Sequence, residues 1–498
     1  MNRKLIVIFS SILIFVVLEK SYLHYFCITV VPYLHDSGAL LMTCSTYGIP
    51  HEFYPLFTLI CFLFSKIPIG TVAFRLNLLS AICAGLLAIL LFLTLVFVIT
   101  GKDKGKYLVG LLSSAVVALW FGFFDQVWVQ SKYFEVHIIQ ATGVALYIFS
   151  LLLFEKMRSS KSFYFHSFAF GLLLISSPMN ILLFPLFIYS FLLIRIAKLS
   201  VKKIFIGLII FLIPFLSVIP YLFQMVNAKY NYIEVFGPVM TSWFWEGHDY
   251  SSVFWRLVWS LAGWERTSLF YHGFSGYFDN FVKLIWQPLF SNLGLFGVIL
   301  LGIGFIKSFL NNKTKTIVFV VTIIVWLFIM LPLRYDQMEE KILPIWFIFY
   351  IWLGIGVYYW FRFLFRRNIL YRVFPFIGKH FMCGLLVLIS LSPFVYIFRA
   401  YDNNQNKLMV TNRTKTDFRF CKYYGDDLLK QIEEYPKDTV LVTGWGSPLN
   451  YYLIVEKRRL DIKVFPGYAH TPSRINKLRK LYKDRLVVEK DIWINKRW

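Results

Sequence analysis

His35, Asp36, His51 and Glu52 stand close together in HDSGALLMTCSTYGIPHEFYPLF (residues 35–57), immediately after the first apolar run of the chain. A carboxylate in such a place can take the proton from a sugar or serine hydroxyl as that oxygen attacks. Polar and ionisable groups at membrane depth are expensive, and they are kept where they act. Asp36 taken by itself also fits a surface-loop aspartate, or the cap of a helix beginning in SGALLM. The two histidines have no third ligand at metal spacing, so neither zinc nor another metal site is expected.

Other candidates lie further along. Glu135, in WVQSKYFEVHIIQ, opens an apolar run, where an acid also favours a helix N-terminus. Asn180, with Ser177, sits at a break between two short apolar runs and equally suits capping or helix–helix hydrogen bonding. Arg75, Lys132, Arg334 and Lys341 all fall on the side of the membrane opposite the basic loops. Their plain role is to snorkel toward headgroups. Their chemical role would be to meet a lipid phosphate, which Arg does in bidentate fashion as charge develops on a departing group.

The elements that must position these residues are membrane helices. Apolar runs such as FRLNLLSAICAGLLAILLFLTLVFVIT and IVFVVTIIVWLFIML recur through a chain of 498 residues that is 58% hydrophobic. Runs of about 18 or more apolar residues can cross a hydrocarbon core, and only helices do so singly. The chain therefore reads as a polytopic α-helical membrane protein. Its net charge of +24 does not indicate nucleic acid, because the basic residues gather in short loops at 101–106, 155–161, 195–203, 311–315 and 361–372. That is the positive-inside pattern, and no basic groove with spaced stacking aromatics accompanies it. The six cysteines are scattered without a CxxC pair and read as small core residues.

With the N-terminus in the cytoplasm and the first span left uncleaved, spans are expected near 5–31, 72–100, 107–124, 134–154, 163–177, 179–195, 204–224, 291–310, 316–333, 342–360 and 381–398. The run at 54–67 is too short for a secure crossing. Every strongly basic loop then lies inside, with about eleven spans. Two outer segments result, 32–53 and an aromatic-rich stretch at 225–290. The membrane domain thus occupies 1–398, and 399–498 forms a small extracytoplasmic α/β segment. In DTVLVTGWGSPLNYYLIVEKRRLDIKVF, VLVTG reads as a strand, the stretch from Ser447 and Pro448 as a helix, and DIKVF as a second strand.

The opening block resembles a family of multi-span proteins that includes an animal protein O-mannosyltransferase and many bacterial members. The family pattern is Asp-Ser-Gly-Glu, then Gly-x-x-His-Pro-Pro-Gly-Tyr-Pro-Leu, then Arg-x-Asn-Leu. Here Asp36-Ser37-Gly38, Gly48, His51, Tyr54-Pro55-Leu56 and Arg75-Leu76-Asn77-Leu78 fit, as do Trp128, Glu135-Val136, Gly171-Leu172, and Asn180 ahead of Pro185. Ala39 stands where the family usually has Glu, Glu52-Phe53 replaces Pro-Gly, and Ser177 occupies a place often held by His. The resemblance implies a GT-C-like bundle and a glycosyltransferase that uses a polyprenyl-phosphate sugar. In that reading Asp36 is the general base of an inverting transfer. His35, His51, Glu52, Tyr54, Asn77, Glu135 and Asn180 would contact substrate, and Arg75, Lys132, Arg334 or Lys341 would meet the phosphate. No metal or other cofactor is expected. The partners implied are the bilayer, the lipid-linked donor and a protein or glycan acceptor; the expected location is a bacterial plasma membrane, since the abundance of Phe, Ile, Lys, Asn and Tyr suits an AT-rich genome. The rival classes are a flippase for lipid-linked sugars and a non-catalytic membrane scaffold.

Overall fold

The computed structural model describes residues 3–25, 41, 44–45, 54–100, 104–131, 134, 136–220, 223, 274–331, 341–366, 433–443, 452–453, 456–466 and 472–488. His35, Asp36, His51, Glu52, Lys132, Glu135 and Arg334 lie outside the described residues, as do Ser447, Pro448 and the span expected at 381–398.

The first helices are α1 (Arg3–Tyr25), α2 (Pro55–Ser65), α3 (Val72–Ile99), α4 (Lys104–Gly122), α5 (Asp125–Gln130) and α6 (Val136–Met157). Then come α7 (Ser160–Ser176), a 3₁₀ turn (Pro178–Leu183), α8 (Phe184–Ile196) and α9 (Val201–Leu212), which tightens into a second 3₁₀ turn at Ile213–Ser217. Further on are α10 (Phe274–Phe281), a π turn (Val282–Trp286), α11 (Gln287–Asn311), α12 (Lys313–Met330) and α13 (Leu343–Arg366). Eight stretches of described helix are long and apolar enough to cross a membrane. Their ends carry the signals expected of them. The Thr71 hydroxyl accepts from Phe74 N at 3.1 Å to cap α3, and Ser159 with Ser162 closes a capping box on α7. At 11 residues α2 is, at about 1.5 Å per residue, too short to cross, as its sequence implied.

Helix α13 is the most enclosed span. It meets α11 with almost no space between backbones: a Cβ on Gly356 would fall 1.8 Å from Leu300 O, and one on Gly304 would fall 1.7 Å from Trp352 O. Lipid tails are as apolar as the side chains, so packing rather than water exclusion holds spans together, and small residues let it happen. At the other flank, the Tyr22 hydroxyl donates to Gly122 O at 2.6 Å and fixes the end of α1 to the end of α4.

One expectation needs correction. The outer segment was expected to run to residue 290, with a span from 291. Instead the chain is helical from Phe274, and a single apolar stretch covers Gly276–Asn311. Pro288 has no N–H to give to the preceding turn, and the wider π turn just before it lets the helix continue past the proline. The break comes later, at Gly294, whose φ of +62° only glycine adopts without strain.

The tail contains β1 (Val440–Thr443) and β2 (Lys463–Pro466), the two expected strands, together with α14 (Pro472–Tyr482) and β3 (Leu486–Val488), which the sequence did not disclose. The strand order is β2-β1-β3, parallel throughout, with Val440 opposite both Lys463 and Leu486. Of the helix expected between β1 and β2, Tyr452 and Leu453 are described, helical and buried.

Candidate functional site

The described side chains of the candidate set tie α2, α3 and Phe134 into one frame. Arg75, on the first turn of α3, lies against the C-terminal end of α2. Its guanidinium donates to Ser65 O and, at 2.6 Å, to Ile67 O, while its Nε donates to Thr71 O at 3.2 Å. The last carbonyls of a helix have no partner within it, and a cation there satisfies both their lone pairs and their partial charge. Arg75 is thereby the lock of the α2–α3 elbow. Lys66, in the same elbow, donates from Nζ to Ser45 O at 3.0 Å and so ties the chain before α2 to its end.

Asn77 faces the other way. It is fully buried, and its Oδ1 accepts from Phe134 N at 2.9 Å across 57 positions of sequence. Phe134 sits between Lys132 and Glu135 in sequence, so α3 holds the segment that bears both. The Phe134 ring stacks on Phe57 of α2 at 5.3 Å, and Phe57 meets the buried Tyr54 edge-on at 6.0 Å. Tyr54 closes the stretch that began at Asp36. An amide and three aromatic rings therefore bind the end of the first acidic stretch to the second.

Asn180 is buried too, in the turn between α7 and α8. Its amide donates to Leu173 O at 2.7 Å and Ser176 Oγ at 2.8 Å, and its carbonyl accepts from Gln140 Nε2 at 3.0 Å. Those bonds join α6 and α7 to the 3₁₀ turn and favour the capping role over contact with substrate. Ser177 caps the same turn, accepting from Met179 N at 3.3 Å. Lys341 is buried just ahead of α13, where its carbonyl accepts from Trp326 Nε1 at 3.1 Å. Among the described residues no group of three or more His, Cys, Asp or Glu could hold a metal ion.

The structure thus unites Tyr54, Arg75 and Asn77 in one frame and sets Asn180 apart in another helix junction. Phe57, Phe134 and Lys66 complete the frame. No sequence motif marked them, since a phenylalanine in an apolar run and a lysine at a helix end carry no signal of their own.

Residues 36–200 match the family model described as the N-terminal domain of protein O-mannosyl-transferase TMEM260. The protein O-mannosyl-transferase TMEM260 of Mus musculus is 34% identical over 128 residues, a stretch covering 25% of this chain and 17% of that protein. Among solved structures, ArnT from Cupriavidus metallidurans, crystallised with undecaprenyl phosphate, superposes with a TM-score of 0.57. That alignment covers 96% of this chain and 93% of ArnT at 13% identity. The GT-C-like helical body expected from the sequence is the observed fold, and the protein is an integral membrane protein.

Proposed function

We propose, from the premise that residues 36–200 carry the N-terminal domain of a protein O-mannosyl-transferase family, that this protein transfers a sugar from a polyprenyl phosphate to an acceptor hydroxyl outside the cytoplasm. The sugar is a hexose, with mannose favoured by the relative's name. The carboxylate of Asp36 takes the hydroxyl proton as the acceptor oxygen bonds to the anomeric carbon. The bond from that carbon to the phosphate oxygen breaks on the opposite face, so the configuration inverts. The departing polyprenyl phosphate keeps the electron pair, and its charge is met by Lys132, Arg334 or Lys341. Arg75 is a weaker candidate for this part because carbonyls already engage its guanidinium. His51 and Glu135 orient donor and acceptor, with His35, Glu52 and Tyr54 beside them. Asp36 has no second acid in an Asp-x-Asp arrangement, so the reaction is expected to run without metal.

In this reading residues 1–398 form the membrane enzyme and 399–498 an extracytoplasmic unit, and the N-terminus is cytoplasmic. What carries the proposal is that the family match opens at Asp36 itself and runs through the α2–α3 frame. That ArnT was crystallised with undecaprenyl phosphate favours a lipid-linked donor. The test is purified Asp36→Asn with polyprenyl-phosphate sugars and candidate acceptors. Covalent sugar on the acceptor is expected from the parent protein, and transfer is expected to collapse in the variant. A folded variant that transfers at the parent rate removes Asp36 as base. A parent protein that moves lipid-linked sugar across vesicles with no acceptor labelled would be a flippase.

A further inference from the structure

We infer that the rim where α7 and α9 begin and α8 ends binds the headgroups of anionic phospholipids. Helices α7 and α9 lie side by side and parallel. A Cβ on Gly207 would meet the Phe163 ring at 2.3 Å and Ser167 Oγ at 3.1 Å, and one on Gly171 would meet Phe211 O at 2.2 Å. Their first turns are therefore at the same end, and the short turn from α8 into α9 brings the end of α8 there as well.

Six cations collect at this end: Arg158, Lys161, Arg195, Lys198, Lys202 and Lys203, all exposed. The run from Arg195 to Lys203 contains no acid. The acid nearest in sequence, Glu155, is already engaged. Its carboxylate accepts from the Tyr189 hydroxyl at 3.0 Å, Asn312 Nδ2 at 2.8 Å and Lys315 Nζ at 3.2 Å. Among the described residues the six cations make no ion pair, whereas Lys156 at the end of α6 and Lys315 at the start of α12 are held, Lys315 by Glu155 and Lys156 by Phe97 O at 2.6 Å.

The surface next to these charges decides what the partner is. Phe191 and Ile196 on α8, and Phe205 and Leu208 on α9, are exposed large apolar residues. Helix α9 fully buries only Gly207 and half-buries Ile206, Ile210 and Phe211 toward α7, so its opposite face is left to lipid. Val201–Pro220 is long and apolar enough to cross a membrane, so bilayer lipid lies against that flank and its headgroup phosphate is the anion nearest the cations. A phospholipid covers it with acyl chains while its phosphate reaches the cations, and clusters of four to eight Lys or Arg at the end of a membrane helix attract anionic headgroups.

Two measurements test this on the full-length protein. In the first, it is released from membranes of phosphatidylcholine and phosphatidylglycerol, and the retained lipids are counted by native mass spectrometry. Preferential retention of phosphatidylglycerol is expected, with a fall of about tenfold or more in Lys198→Gln/Lys202→Gln/Lys203→Gln and no change in phosphatidylcholine. Equal retention of phosphatidylglycerol by parent and variant would overturn the proposal. The second needs no variant. A photoactivatable phosphatidylglycerol should label peptides spanning 158–161 and 195–203 more heavily than the basic segment at 311–315. Uniform labelling of all basic segments would mean that these charges only orient the chain, and the inference would fall.

Discussion

The hydrogen bond from Phe134 N to Asn77 Oδ1 offers the most informative perturbation. The bond is 2.9 Å long, its acceptor is fully buried, and the donor belongs to the short stretch between Lys132 and Glu135. Asn77→Leu keeps the side-chain volume and removes the acceptor, so the Phe134 N–H is left in an apolar interior. Stranding a buried donor costs about 1–3 kcal/mol. As a bias between held and released states of the segment, that is roughly 5- to 150-fold. If the segment presents Glu135 and Lys132 to the donor, transfer should fall by a factor within that range, through kcat more than KM, while the protein still purifies as a folded monodisperse species. Asn77→Ala should lose as much or more, since a cavity is added to the stranded donor. Asn77→Asp keeps an oxygen to accept the bond and should recover part of the rate. The assay is steady-state transfer from a polyprenyl-phosphate sugar with thermal unfolding recorded in parallel. A folded Asn77→Leu with unaltered kcat and KM would refute the idea that α3 holds this segment for chemistry.

Three further outcomes are expected. Gly356→Leu should fail to assemble or lose about 1–3 kcal/mol or more, because the added side chain must occupy space held by the Leu300 carbonyl; expression and thermal stability in detergent report it. Tyr350→Phe should be neutral or slightly stabilising, since the buried Tyr350 hydroxyl has no hydrogen-bond partner among the described residues, and the same melting assay would expose a loss if that hydroxyl mattered. In the tail, the Arg459 guanidinium beside Asp461, with contacts at 3.0 and 2.8 Å, holds the Asp461 carboxyl well below the usual carboxylate range. A depressed folded pKa gives support that is complete above the unfolded value near 3.8 and is lost as pH falls below it. Hydrogen exchange around Asp438–Asp461, corrected for intrinsic rates, should therefore be constant from neutral pH to about 5 and rise only in stronger acid, and a rise near pH 6 would contradict this.

The sequence by itself settled what each segment could be. Length and apolarity fix a span because lipid offers the backbone no partner, so Val72–Ile99 and Val136–Met157 could be read almost to the residue. The Asp36 block and the Arg75-Leu76-Asn77-Leu78 motif were legible for a related reason, since unusual polar residues stand out against an apolar background. Tertiary structure alone decided what those residues face. The Arg75 guanidinium is engaged by the carbonyls of Ser65 and Ile67; Asn77 reaches Phe134, 57 positions away. A motif gives residue types and spacing along the chain, whereas a hydrogen bond depends on which helix ends the fold brings within about 3 Å. The same holds for Phe57 on Phe134 and for Gly356 against Leu300. Ring stacking and backbone contact arise between helices distant in sequence, and in a chain where nearly every span is apolar no local pattern says which ones are neighbours.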